Sequence, residues 1–376
     1  MDMQDILRQL PSEYKKACWE TKAMSRQRGI QDEDILLQLC LYYAYDKSLV
    51  DTKNYANSFH SVNISDVGFM KRFGRCNEWI KWINQQMIQE QVPTFQAAEK
   101  LKDKRVLAID ASDIVSKGAV KQIWRLHYAY DLFSMTSAQF QVTPESTGES
   151  LKNFCLAEND LILADRAYAT ITGIECCREA KADFVMRLRS NAFNLYDAEG
   201  NQISLAELLE GVTEAASDFN LYYKRSDKTL RPIRLCAVQK SEEEKVFSQK
   251  RLRRKESRRQ TKYSENAKFS NNYFFVVTSL DPSFSSEEIL SLYRFRWQVE
   301  MVFKRLKSIM NLGSMPTKTA ESSETWLNCK MLIALLIEKM LASVDFPPCE
   351  DCSQLVEGDE DLIPFDFSLL FESSRV

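Results

Sequence analysis

Four side chains in the last third of the chain, Tyr293, Arg296, Glu300 and Lys307, bring together an acid, two cations and a phenol. On a helix turning 100° per residue they fall within an arc of roughly 60°. Phe295, Val299, Val302, Phe303, Leu306, Ile309 and Met310 make a neighbouring apolar stripe. One side of such a helix therefore packs into a core while the adjacent side presents charge. Arginine offers phosphate a bidentate fork, lysine a point charge, and tyrosine a hydroxyl on a stacking ring. Carboxylate oxygens are hard donors of the kind that suit Mg²⁺. Helical geometry alone is met equally by a solvated face with an Arg296–Glu300 pair at i,i+4, a common and weakly stabilising arrangement.

Two more acids sit where strands are expected to end. Asp110 closes the apolar run VLAID (106–110), and Asp165 follows LILA (161–164) and precedes Arg166-Ala167-Tyr168. Either acid alone reads more readily as a turn or a cap. Segments 121–133 and 137–143 are strand-like, helices are expected at 149–158 and 170–180, and DFVMRL (183–188) suggests a fifth strand. The order β-β-β-α-β-α-β predicts an α/β fold, a mixed sheet with helices on its faces. One helix is expected from Ser285–Glu288, where serine can cap it, to about Met310. Another covers 321–343. Between them and the core, residues 190–285 carry strand-like runs around a charged stretch (240–268) and read as a β-rich insertion. Residues 1–100 read as helical, at 33–46, 48–59, 65–73 and 76–90. Their spacing is compatible with a helix-turn-helix, as it is with any pair of helices joined by a turn.

The net charge of −3 over 376 residues hides a strong asymmetry. Residues 250–262 (KRLRRKESRRQTK) hold eight Lys or Arg against one Glu, while from Asp345 onward only Arg375 opposes many carboxylates. The basic run is either a solvated loop or a nucleic-acid footprint. The ten cysteines include the adjacent Cys176 and Cys177 and a lone CxxC at Cys349 and Cys352, with only His60 and His127 as imidazoles. That set is poor in clustered ligands for tetrahedral zinc and suggests reduced thiols. No long apolar span or secretory h-region is evident, which points to a cytoplasmic, nucleoid-associated protein with no membrane partner.

The spacing Tyr-x2-Arg-x3-Glu-x6-Lys resembles the signature of IS4-type bacterial transposases of the DDE class, and Tyr293, Arg296, Glu300 and Lys307 meet all four positions. Asp165-Arg166-Ala167-Tyr168 is similar to that family's Asp-Arg-Gly-Tyr. The resemblance covers about two thirds of the chain. It implies an RNase H-like core over 101–310, interrupted by the β-rich insertion at 190–285. A helical DNA-binding domain (1–100) would precede it, and a C-terminal helix with an acidic tail (311–376), a candidate dimerisation region, would follow. The implied activity is binding of terminal inverted repeats, cleavage at the element's ends and joining to target DNA by a homodimer. Asp110, Asp165 and Glu300 would be catalytic and would hold two Mg²⁺, with Mn²⁺ able to substitute. Tyr293, Arg296 and Lys307 would contact phosphates near the cut. Relatives wedge a tryptophan into the stack; here Tyr273 or Phe274 holds that position, and the insertion contains no tryptophan. Arg251, Arg253 and Arg254 are expected to bind DNA. Ala167 in place of glycine implies no need for positive φ there. Asp113, where relatives carry a small hydroxyl residue, adds a carboxylate that either tunes the site or faces solvent. The alternatives are a transposase-derived DNA-binding protein without catalysis, and a nuclease of the same fold without strand transfer.

Overall fold

The computed structural model describes residues 6–27, 29–90, 99–116, 123–308, 310–312, 314–317 and 319–342. The acidic tail and the CxxC at Cys349 and Cys352 lie outside them. Helices come first: α1 (Tyr14–Glu20), α2 (Glu33–Ala44), α3 (Leu49–His60), α4 (Asp66–Arg75) and α5 (Asn77–Gln89). Asp32, Ser48 and Ser65 cap α2, α3 and α4 with their side chains, each satisfying amides that a helix start leaves unpaired. The buried Trp79 of α5 donates from Nε1 to the Tyr14 carbonyl at 2.7 Å and so anchors the end of this bundle to its beginning.

The sheet begins with β1 (Arg105–Ser116), β2 (Ile123–Asp131) and β3 (Thr136–Pro144), which run antiparallel in turn. β4 (Asp160–Ala164) then lies parallel to β1. After α6 (Ile171–Glu179), β5 (Asp183–Arg187) lies parallel to β4. Next come β6 (Leu195–Tyr196), β7 (Gln202–Ile203), α7 (Leu205–Glu210), β8 (Ser217–Lys224), β9 (Leu230–Gln239), α8 (Glu242–Arg259), α9 (Glu265–Ser270) and β10 (Tyr273–Thr278). α10 (Ser286–Arg294), α11 (Trp297–Ser308), β11 (Ser314–Met315) and α12 (Ala320–Ala342) complete the described chain. The strands form one sheet in the order β3-β2-β1-β4-β5-β10-β9-β8-β6-β7, with β11 beside the end of β1. Strand alternation divides its core in two. Val106, Ala108, Leu161, Leu163 and Val185 face α10, α11, α12 and the N-terminal helices. Leu107, Ile109, Ile162, Ala164, Phe184 and Met186 face α6 and the other layer.

The structure corrects three expectations. The helix foreseen from Ser285 to Met310 is two helices, because the backbone leaves α10 at Phe295 and re-enters α11 at Trp297. The helix foreseen at 149–158 is a single 3₁₀ turn over Leu151–Asn153. The insertion is mixed rather than β-rich, and its strands extend the core sheet through the β10–β5 pairing.

The basic run is helical, as part of α8, though α8 buries no side chain. Local chemistry accounts for this. Ser241 and Glu244 form a capping box, three glutamates fill the first turn, and Arg258 and Arg259 occupy the last. These complement the helix dipole in a segment rich in Glu, Lys, Gln and Arg, all good helix formers. The eight described cysteines are free thiols, six of them buried. No helix among the described residues is long and apolar enough to cross a membrane.

Candidate active site

Asp110 and Asp165 become neighbours through strand register. Ile109 pairs with Ala164 across the parallel β1–β4 ladder, so the next residue on each strand is an aspartate. β4 ends there while β1 continues against β2. Asp110 therefore lies where β1 loses its parallel partner, at the carboxyl end of a parallel pair where α/β sheets open crevices for ligands. Alternation also places both acids on one face. Asp110 follows Val106 and Ala108, and Asp165 follows Leu161 and Leu163, all on the side covered by α10 and α11.

The third acid comes from that covering layer. Val299, Val302, Phe303 and Leu306 bury one stripe of α11, with the Phe303 ring 5.7 Å from that of Tyr128 on β2. Glu300, in the first turn, is near enough for its charge to act on Asp110. Arg296 connects the acids. Its guanidinium donates to Glu300 Oε1 and stands 3.7 Å from Asp110 Oδ2. The i,i+4 pair is thus formed, yet it is no solvated surface pair, since the Arg296 side chain is 13 % exposed and also reaches a buried strand end.

The site is under electrostatic strain. Burial pushes Asp110 up to about 6; the Ala111 amide and Arg296 oppose this, while Asp165 and Glu300 add to it. Burial also pushes Tyr293 up to about 12, with Arg296 pulling it down and Asp165 pushing it up. Arg296 is held above the usual arginine range against the pull of burial, chiefly by Tyr293, Glu300 and Asp165. Three polar atoms here are buried without a hydrogen-bond partner: Tyr168 Oη, Tyr293 Oη and Arg296 Nε. Tyr293 and Arg296 act on each other's charge, but no hydrogen bond of good geometry joins them. Buried unpaired donors are costly and call for an explanation.

A second row of side chains continues across the same face. Arg187, ending β5, lies over the Phe274 ring at 5.2 Å, and Phe274 lies 5.5 Å from the Tyr293 ring. Tyr273, one residue earlier, points to the opposite face and packs on Phe269. The two aromatics considered as wedges are therefore separated by the pleat, and only Phe274 faces the acids. Lys307 is exposed two turns along α11 from Glu300. Arg251, Arg253 and Arg254 are exposed on α8 and do not touch the acids. Asp113, three residues from Asp110 and so on the other face, pairs with Arg125 at 2.8 Å. Ala167 has no positive φ.

Sequence reasoning quoted Tyr168 only as part of the Asp165–Tyr168 motif and did not single out Arg187. The signal for Arg187 was present: it ends DFVMR with the same parity as Val185. Among the described residues, no three His, Cys, Asp or Glu side chains are gathered closely enough to hold a metal ion as placed. At the acids, the Arg296 cation stands between Asp110 and Glu300 in that role. The donors nevertheless suit a hard divalent ion: they are all carboxylate oxygens, they feel one another's charge, and unpaired hydroxyls lie beside them.

Comparison with known proteins agrees with this geometry. The model of the family described as "Transposase DDE domain" matches residues 101–337, a stretch that contains all three acids. The transposase for insertion sequence element IS421 of Escherichia coli is 27% identical over 351 residues, covering 90% of this chain and 93% of that protein. The transposase for insertion sequence element IS231F of Bacillus thuringiensis subsp. israelensis is 21% identical over 378 residues, covering 89% and 78%.

Proposed function

Because this chain belongs to the family of DDE-domain transposases, enzymes that use divalent metal to cut and join DNA, we propose that Asp110, Asp165 and Glu300 are its catalytic acids. The carrying observation is the convergence of two strand ends and one covering helix on Arg296. An RNase H-like core is the reading that best suits the order β3-β2-β1-β4-β5, with β1, β4 and β5 parallel. The three carboxylates would hold two Mg²⁺, or Mn²⁺ in their place. Such ions supply charge stabilisation to an in-line phosphoryl transition state and acidity to the attacking oxygen.

The protein's own groups do the rest. Arg296 neutralises Asp110 and Glu300 while the site waits, and its fork then passes to the phosphate beside the cut, a better-matched anion for bidentate binding. The Tyr293 hydroxyl and Arg296 Nε, unpaired and buried, are donors placed to meet phosphate oxygens. Lys307 adds a point charge further along the strand. Phe274, between Arg187 and Tyr293, offers a face on which a displaced base can stack; Tyr273, buried on the far face, remains the less favourable wedge. Terminal repeats would be read by the N-terminal helices (1–100) and the basic run with Arg251, Arg253 and Arg254, and residues 311–376 would contribute to a homodimer.

The test is cleavage and strand transfer by purified protein on duplexes carrying the repeats that flank its gene. Mg²⁺-dependent nicking at the repeat ends, and joining of pre-cut ends to a plasmid, are expected. Binding without nicking would favour a non-catalytic DNA-binding protein, and nicking without joining a nuclease.

A further inference from the structure

The basic helix α8 carries its cations on two separate faces. Lys245, Lys250, Arg253 and Arg254 line an open groove with Val246 and Gln249. Arg251, Lys255 and Arg259 recur every fourth residue and so form a stripe on another side. Lys255 is pulled down by burial and then by four charges, all positive: Arg251, Arg166, Arg259 and Arg187. Two of these belong to its own stripe. The other two come from the catalytic layer, where Arg166 follows Asp165 and Arg187 covers Phe274. None of these five cations forms an ion pair with another described residue. Like charges held this close repel one another and cost stability, unless a polyanion is the intended partner.

Resting on the transposase reading, we propose that Arg251, Lys255 and Arg259, continued by Arg166, form a track for consecutive phosphates of the DNA strand leaving the active site, distinct from the groove of Arg253 and Arg254. The dimensions agree. Successive members of the stripe rise about 6 Å along the helix, and the whole stripe spans about 12 Å. One DNA strand presents a charge every 3.4 Å or so along the duplex axis, so the stripe matches three to four phosphates. The track begins beside Asp165, so it positions DNA at the cut and acts through placement of the scissile phosphate.

The test compares full-length wild type with Arg251→Ala/Lys255→Ala/Arg259→Ala and with Arg253→Ala/Arg254→Ala. The probe is a terminal-repeat duplex, intact or with single neutral methylphosphonates near the cut. All substituted residues are exposed, and alanine favours helix, so circular dichroism should be unchanged; Lys255→Gln serves as a milder variant. The triple variant should reduce the slope of log affinity against log salt by about 2 to 3, and Lys255→Gln by about 1. Methylphosphonates beside the cut should weaken wild type and the Arg253/Arg254 variant, but no longer the triple variant. A triple variant with the wild-type slope and sensitivity would overturn the track, as would loss of that sensitivity only in the Arg253/Arg254 variant. Wild type that neither binds nor nicks the repeats would instead overturn the transposase reading, and the track with it.

Discussion

Arg296 ties the account together because its environment makes little sense for stability alone. A guanidinium shared by Asp110 and Glu300 offsets their charge, but the arrangement leaves Arg296 Nε and Tyr293 Oη buried and unpaired. Each such donor costs about 1–3 kcal/mol. Removing the Tyr293 hydroxyl should therefore behave unlike an ordinary core substitution. Tyr293→Phe is expected to leave unfolding free energy unchanged or raised by up to about 1 kcal/mol, while nicking of repeat ends falls at least tenfold. Urea titration beside a cleavage assay would check this; a destabilised variant that cuts normally would contradict it. At this level the sequence was largely legible. Strand ends and helical spacing offered the three acids as candidates, and the resemblance to IS4-type transposases singled them out. Arg187 was not singled out, because a strand-end arginine looks ordinary until parity puts it on the same face as Val185, and Tyr168, whose ring packs in the opposite layer, was legible only as a member of the Asp165–Tyr168 motif.

The elements that place those residues were legible where local chemistry and tertiary packing agree. Ser285 and Glu288 announce the start of α10, and the capping box is formed. The break between α10 and α11 was not legible, because apolar spacing near 3.6 continues across Phe295 and Arg296 although the backbone does not. The helical state of the basic run was overlooked because charge density suggested a loop. Its caps and end charges were in plain sight. Asp165 depends on a turn closed by a close approach: a Cβ on Gly173 of α6 would lie 2.2 Å from the Tyr168 carbonyl oxygen. Gly173 also donates to the capping hydroxyl of Thr170 at 3.0 Å. Gly173→Ala should then force the Asp165–Tyr168 turn outward, costing roughly 1–3 kcal/mol and most of the cleavage activity. Thermal unfolding together with single-turnover nicking would show it; an alanine variant equal to wild type in both would mean that the turn is not rigidly placed.

Across the molecule, α12 joins the N-terminal helices to the sheet. Lys330, 1 % exposed, reaches Asp46 at 2.8 Å and the Met310 carbonyl at 2.6 Å. Glu338 reaches the Ser137 amide and hydroxyl on β3. Burial pushes Glu338 up to about 7, the Ser137 bonds and Arg305 on α11 oppose this, and Tyr128 and Tyr130 on β2 lie within reach of its charge. An acid raised on folding supports the fold below its unfolded value of about 4.5, and that support is lost as pH climbs through about 7. Glu338→Gln should match wild type near pH 4 and exceed it by roughly 3 kcal/mol at pH 8; denaturation at the two pH values measures this, and equal differences at both would contradict it. The same long-range closure brings Asp110, Asp165 and Glu300, far apart in the chain, to one place. Their shared role is tested most directly by the rate of Mg²⁺-dependent nicking at repeat ends for Asp110→Ala, Asp165→Ala and Glu300→Ala, with end binding measured on the same preparations. Each variant should bind the ends and cut at least about a thousandfold more slowly; any one of the three that binds and still cuts at the wild-type rate would contradict the triad.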